Sequence, residues 1–228
     1  MASRAHTNVV QQEFTSQASI WSGSVPSHLQ ELASTLNLNA SDTMLDVAAG
    51  SCRVSRAIAP WVKQVTALEL TEAMLKQGKA MAHKEGLSNI TFMLGAAEHL
   101  EFAADSFDVT ISRYAFHHFI EPERVLKEMV RVTKQGGKVI VIDILSPPDD
   151  GLAETYNFYE RLRDPSHTKS PLLNHLKEWY EKNNLQIVEC HVEDGVQDLE
   201  GWMRLPSLAE QVKDQIRTAV QLELSGGL

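Results

Sequence analysis

Thr43-Met-Leu-Asp46-Val-Ala-Ala-Gly50-Ser-Cys52 (TMLDVAAGSC) decides the fold, because it passes from a β-rich apolar run through a small-residue loop into a helical pattern. The run Thr43 to Ala48 reads as a strand, and Val54, Ala57, Ile58 and Trp61 follow at helical spacing. A loop between a strand end and a helix start offers free N–H groups and the positive end of the helix dipole to a carboxylate or another anion. The loop holds one glycine, Gly50, so it lacks the three of a GxGxxG dinucleotide fingerprint, and no Gly-Lys-Ser/Thr follows to make a P-loop. A nucleoside without phosphates fits this loop better than a dinucleotide or a nucleoside triphosphate.

Working outward, Glu69 stands nineteen residues beyond Gly50, at the end of the run Gln64 to Leu70. An acidic residue there is placed to accept hydrogen bonds from both ribose hydroxyls. Leu70 and Met74 beside it are candidates to wall an adenine ring. Further strands read at Ile90 to Leu94, Phe107 to Ser112 and Lys138 to Leu145, separated by helical patterns through Ala73 to Met81 and Val125 to Val130. Such alternation predicts an α/β fold, a Rossmann-like and mostly parallel central sheet with helices on both faces. Lys134 to Gly137 reads as the turn that ends the last of these helices, its glycines taking positive φ. Val9 to Gln17 and Ser27 to Leu36 read as helices before the core, and Leu152 to Arg163, Leu172 to Asn183 and most of Leu199 to Leu224 as helices behind it. Gln186 to Val192 reads as a strand.

We expect a single domain over 1–228, with an N-terminal helical lid (1–42), a cofactor-binding core (43–145) and a C-terminal substrate or lid part (146–228) that begins at the turn-rich Ser146 to Gly151. Of the 228 residues 43% are hydrophobic and 22% charged, an ordinary globular balance, with no apolar run of membrane-spanning length and nothing resembling a secretory signal. A cytoplasmic location away from the membrane is the expectation. The two cysteines, Cys52 and Cys190, have neither disulfide-framework nor zinc spacing, and no metal site is expected. A net charge of −9 without a Lys/Arg stripe argues against a nucleic-acid partner.

The loop Asp46 to Cys52, VTALELTEAML (65–75), Gly95-Ala96-Ala97-Glu98 with FAADSFDV (102–109), SRYAFHHFIEP (112–122) and RVTKQGGKVIVID (131–143) come in an order that resembles the class I S-adenosylmethionine (SAM) dependent methyltransferases. Within them the chain is similar to the quinone-methyltransferase-like, small-molecule subgroup. The resemblance implies SAM as cofactor, S-adenosylhomocysteine (SAH) as product and a small-molecule acceptor. By position it implies that Asp46 orients the loop and approaches the methionine amine, that Gly50, Ser51 and Cys52 lie along the cofactor, and that Glu69 binds the ribose. Ala96, Ala97 and Glu98 fall on the adenine side, with Ala97 offering its N–H, while Arg113 and Tyr114 fall near the methionine end. The chain departs from the family at Cys52, where glycine is usual, and at Ala96, where aspartate is frequent. These departures motivate the alternative of a catalytically degenerate SAM-binding or partner-binding protein of the same fold. The family's final antiparallel strand is expected to be missing, since the sequence reaches Ser225-Gly226-Gly227-Leu228 without one.

Methyl transfer needs positioning and exclusion of water more than it needs a base. His117 and His118 follow the fourth strand, where the methyl group is expected, and imidazole titrates near neutral pH. Either is a candidate base or substrate-orienting residue, and either is equally readable as a buried histidine that fixes the loop. Arg163, Asp164 and His167 form a second polar group, readable also as a turn on Asp164-Pro165 with His167 in solvent. Phe14, Trp21, Tyr156 and Phe158 are candidates for an apolar acceptor pocket.

Overall fold

The computed structural model describes residues 2–21, 23–196 and 198–226. Its centre is a five-stranded sheet of order β3-β2-β1-β4-β5, all neighbours parallel: β1 Thr43–Val47, β2 Gln64–Glu69, β3 Ile90–Leu94, β4 Phe107–Arg113 and β5 Thr133–Ile142. The fold is the predicted Rossmann-like one, and among the described residues no antiparallel strand joins the sheet. The three inner strands are buried along nearly their whole length, whereas the edge strands β3 and β5 are only partly covered. Near-continuous apolar character in TMLDV, QVTALE and FDVTIS is the sequence counterpart of burial on both faces.

Two units divide the chain, one over 18–144 and one combining the first helix with everything from Leu145 onward. In the sheet unit, Met44, Val65, Val109 and Ile111 pack against Leu29 and Ala33 of α2 (Ser27–Thr35) and Val54, Ala57 and Ile58 of α3 (Arg53–Ile58). Helix α4 (Glu72–Lys84) lies on β2 and β3, and α5 (Pro122–Val132) on β4 and β5. The predicted turn at 134–137 is absorbed into β5 as an irregularity, since Thr133 pairs with Phe107 but Lys138 already with Val109. Gly137 is obligatory there, because a Cβ would come within 2.6 Å of the Asp108 carbonyl oxygen.

The other unit consists of α1 (Ala2–Gln17), α6 (Asp150–Arg163), α7 (Leu173–Lys182), α8 (Leu199–Trp202) and α9 (Glu210–Leu224). Met203, Leu208 and Ile216, with Tyr159, Leu162 and Trp202, form its apolar cluster. The expected strand Gln186 to Val192 is not a strand: the segment has no regular structure and Val188 is 91% exposed. Alternation of apolar and polar residues predisposes a segment to pair, but an extended segment becomes a strand only when a neighbour takes its N–H and C=O groups, and among the described residues none does.

Candidate active site

The strand order reverses between β1 and β4, and a parallel sheet offers its ligand crevice outside the carboxyl ends of the strands at that point. The loop after β1 coils tightly there. Ala48, Gly50 and Cys52 all take left-handed φ angles, of 57°, 54° and 58°, and two of the three pay the Cβ penalty that only glycine avoids. What holds them is hydrogen bonding. The Ala49 N–H donates to the Leu68 carbonyl at 2.9 Å and the Cys52 N–H to the Ala49 carbonyl at 2.8 Å.

Asp46 and Glu69 anchor this loop from opposite sides. Asp46, buried in β1, accepts from the Ser55 N–H at 3.0 Å and the Ser55 hydroxyl at 2.6 Å, so it caps the first turn of α3 from nine residues upstream. Burial pushes its carboxyl up to about 6, against the pull of the Ser55 bonds. Glu69, at the end of β2, accepts from the Gly50 N–H through Oε2 at 2.8 Å and from the Thr71 N–H through Oε1 at 2.9 Å. Its own carbonyl receives the Gly95 N–H at 3.0 Å, which ties in the segment holding Ala96, Ala97 and Glu98. Burial raises the Glu69 carboxyl as well.

Ser51 is buried and donates its hydroxyl to the Trp21 carbonyl at 2.9 Å. Cys52 is fully buried among Ala67, Leu75 and Phe92, and burial raises its thiol. The side chain fits because α4 carries Gly78 opposite it: a Cβ on Gly78 would sit 2.6 Å from the Cys52 Sγ. Cys52 therefore spends its side chain on helix packing. Met74 is buried, and its Cε would lie 3.9 Å from a Cβ on Gly50. Leu70 is partly covered, as are Ala96 and Glu98, while Ala97 is buried.

After β4, Arg113 stacks on the Tyr114 ring at 3.9 Å, and Tyr114 takes a left-handed φ of 54°. The chain then makes a single 3-10 turn, Phe116–His118. Asp143, just past β5, organises it: Oδ2 accepts from the Ala115 and Phe116 N–H groups at 3.0 and 2.6 Å, and Oδ1 contacts His117 Nδ1 at 2.5 Å and accepts from its neighbour's N–H, that of Ile144, at 2.7 Å. His117 and His118 are both 8% exposed, with ring centroids 4.1 Å apart. Sequence reasoning missed Asp143, Ser55 and Gly78. A carboxylate closing the apolar run KVIVI is a signal that could have found the first, and a glycine inside a helix one that could have found the third.

The second polar group lies in the helical unit and is committed to it. Arg163 pairs with Glu160 at 2.8 Å and stacks on Trp202 at 5.0 Å, and Asp164 accepts from the Ser166 N–H at 2.9 Å. His167 is 3% exposed, which excludes the alternative of a turn with His167 in solvent; its Nε2 lies 2.8 Å from Asn157 Oδ1, which gives a buried imidazole a polar partner. Of the aromatic candidates, Trp21 falls in the sheet unit beneath Arg53, and Phe158 in the helical unit is exposed.

Comparison with known proteins gives a match of residues 45–141 to a methyltransferase domain family. The chain is 33% identical over 168 residues to the uncharacterized methyltransferase YcgJ of Bacillus subtilis, covering 74% of this chain and 63% of that protein. It is 31% identical over 121 residues to the ubiquinone/menaquinone biosynthesis C-methyltransferase UbiE of Haemophilus ducreyi, covering 51% and 46%. The alignments thus span from about half to under two thirds of these relatives' lengths. The crystal structure of the Bacillus YcgJ protein superimposes with a TM-score of 0.80 at 30% identity, covering 85% of this chain and 83% of that one.

Proposed function

The chain belongs to the class I SAM-dependent methyltransferases, and from that premise we propose that it transfers a methyl group from SAM to a small-molecule acceptor, releasing SAH. The carrying observation is the Glu69 carboxylate, fixed by the Gly50 and Thr71 N–H groups at the switch-point edge. A carboxylate held at a strand end is the acceptor that paired ribose hydroxyls need. Gly50 leaves the space in front of Met74 without a side chain, and Leu70 and Met74 offer apolar surface for the adenine. Ala97 supplies a backbone N–H and Glu98 a polar rim on that side, while Ala96 contributes no side-chain acceptor. Asp46, bound to Ser55, keeps the α3 N-terminus and the Ser51-Cys52 backbone in place for the methionine portion. Arg113 and Tyr114 border the same end.

SAM supplies a methyl group on a sulfonium already activated for in-line displacement. The work left to this chain is orientation and exclusion of water. Asp143 holds His117 through Nδ1, which fixes the imidazole as a group that orients an acceptor, and the His118 ring lies beside it, tilted by 46°. The Cys52 departure does not disturb this reading, since the absence of a side chain at Gly78 leaves room for the thiol, which donates to the Gly50 carbonyl at 3.6 Å. The net charge of −9 supports a small acceptor over a nucleic acid.

Calorimetric titration of SAM and SAH into the wild-type protein and Glu69→Ala tests the proposal. Saturable binding to wild type is expected, with a loss of about ten- to hundredfold in the variant, the range for hydrogen bonds to a charged group. No binding to wild type would overturn it.

A further inference from the structure

Two arginines border the switch-point crevice with no carboxylate at ion-pair distance among the described residues. Arg53, the first residue of α3, lies 5.4 Å over the Trp21 ring, and its Nε is buried without a hydrogen-bond partner. Arg113, the last residue of β4, directs one guanidinium nitrogen to His28 Nε2 at 3.3 Å. Burial lowers the pKa of both, and Arg56 and then Arg113 add to the cost of charging Arg53. The neighbouring Arg56 is the contrast: it is wholly buried, but paired with Glu85 and the Gly23 carbonyl.

A guanidinium does not shed its proton in proteins, and a partly desolvated cation without a counter-charge is costly. The carboxylates whose charge acts on Arg113 are those of Asp46 and Asp143. Both are engaged, the first with Ser55 and the second with the 115–117 turn and His117. The segment carrying Arg113 is also strained at Tyr114, a left-handed non-glycine residue of the kind that gathers at ligand sites. Resting on the methyltransferase reading, we propose that Arg53 and Arg113, with His28, form the seat for a carboxylate or phosphate group of the methyl acceptor. The planar donor forks of two arginines suit such an anion, and the acceptor is then an acid or a phosphate ester rather than a neutral molecule.

The test is calorimetric titration of benzoate and of inorganic phosphate into SAH-saturated protein. Saturable binding of at least one is expected. It should weaken at least tenfold in Arg53→Gln and in Arg113→Gln, and partly recover in Arg113→Lys, with SAH affinity within twofold of wild type in Arg53→Gln. Melting curves identify any glutamine variant that fails to fold, and its lysine counterpart, keeping the charge but losing the fork, then replaces it with a smaller loss expected. No anion binding to the wild-type SAH complex, or binding indifferent to both arginines, overturns the proposal. So does a loss of affinity for SAH in Arg53→Gln without a loss for 5′-methylthioadenosine, which lacks the amino-acid carboxylate, because the seat then serves the cofactor. Should SAH fail to bind wild type, the methyltransferase reading falls, and the same titrations into ligand-free protein decide the anion seat alone.

Discussion

The sheet unit and the helical unit both bury polar side chains, but they use them differently. In the helical unit Asn157 donates to the Ser146 hydroxyl at 2.8 Å and accepts the Ser170 N–H at 2.8 Å, while the Ser146 hydroxyl donates to the Ser170 carbonyl at 2.7 Å. Glu160 takes Arg163 and the Trp202 indole. These groups are spent on one another. In the sheet unit Glu69 and Asp143 also bind the backbone, yet they stand at the carboxyl edge with loops in their grip. Buried polarity alone does not mark a site. Its place on the topology does.

Replacing Asp143 with Ala should give the largest effect, since it strips three N–H groups and His117 of their acceptor at once. A stability loss of about 3 to 5 kcal/mol is expected in denaturant unfolding, with methyl transfer reduced more than a hundredfold where the variant remains folded. Asn157→Leu should cost about 2 to 4 kcal/mol by removing the amide that bonds Ser146, the Ser170 N–H and His167, but SAH affinity should stay within twofold of wild type. A large change in affinity would break the contrast between the units. Gly78→Ala should cost about 1 to 3 kcal/mol by overpacking against Cys52, and the Cys52→Gly, Gly78→Ala pair should recover most of that in a thermal melt.

The smallest effect concerns pH. Asp46 has a folded-state pKa of about 6 against 3.8 for the free group, so the folded protein binds more protons than the unfolded chain between these values. Stability from this group is greatest below pH 4 and declines as pH rises through about 6. Asp46→Asn, which keeps an acceptor for Ser55, should flatten that part of the stability profile. An unchanged slope would mean that the buried carboxylate is charged as readily as in water.

Much of the sheet was legible in the sequence because its signals are local. Strand β3 matches its expected limits, and β1, β2 and β4 differ from theirs by a residue at the carboxyl end, since continuous apolar runs bounded by turns report burial directly. The segment 186–192 carries the same kind of local pattern without a neighbour to pair with, and local patterns hold no information about neighbours. At the site, Asp46, Gly50 and Glu69 were legible because they stand at strand ends. Their partners were not: Ser55 is an unremarkable serine in a helix, and the link from Asp143 to His117 spans 26 residues. Cys52 was visible as a departure from the family, but only the packing reveals that Gly78 answers it.

The depth at which Cys52 lies has a practical side. The sequence has only two cysteines, and the other, Cys190, is exposed. A thiol raised in pKa and sealed from solvent is a poor nucleophile, so maleimide chemistry should attach a single dye, at Cys190, to the wild-type protein. A fluorescent reporter can thus be installed without any mutation, and the appearance of a second label would time the opening of the loop around Cys52.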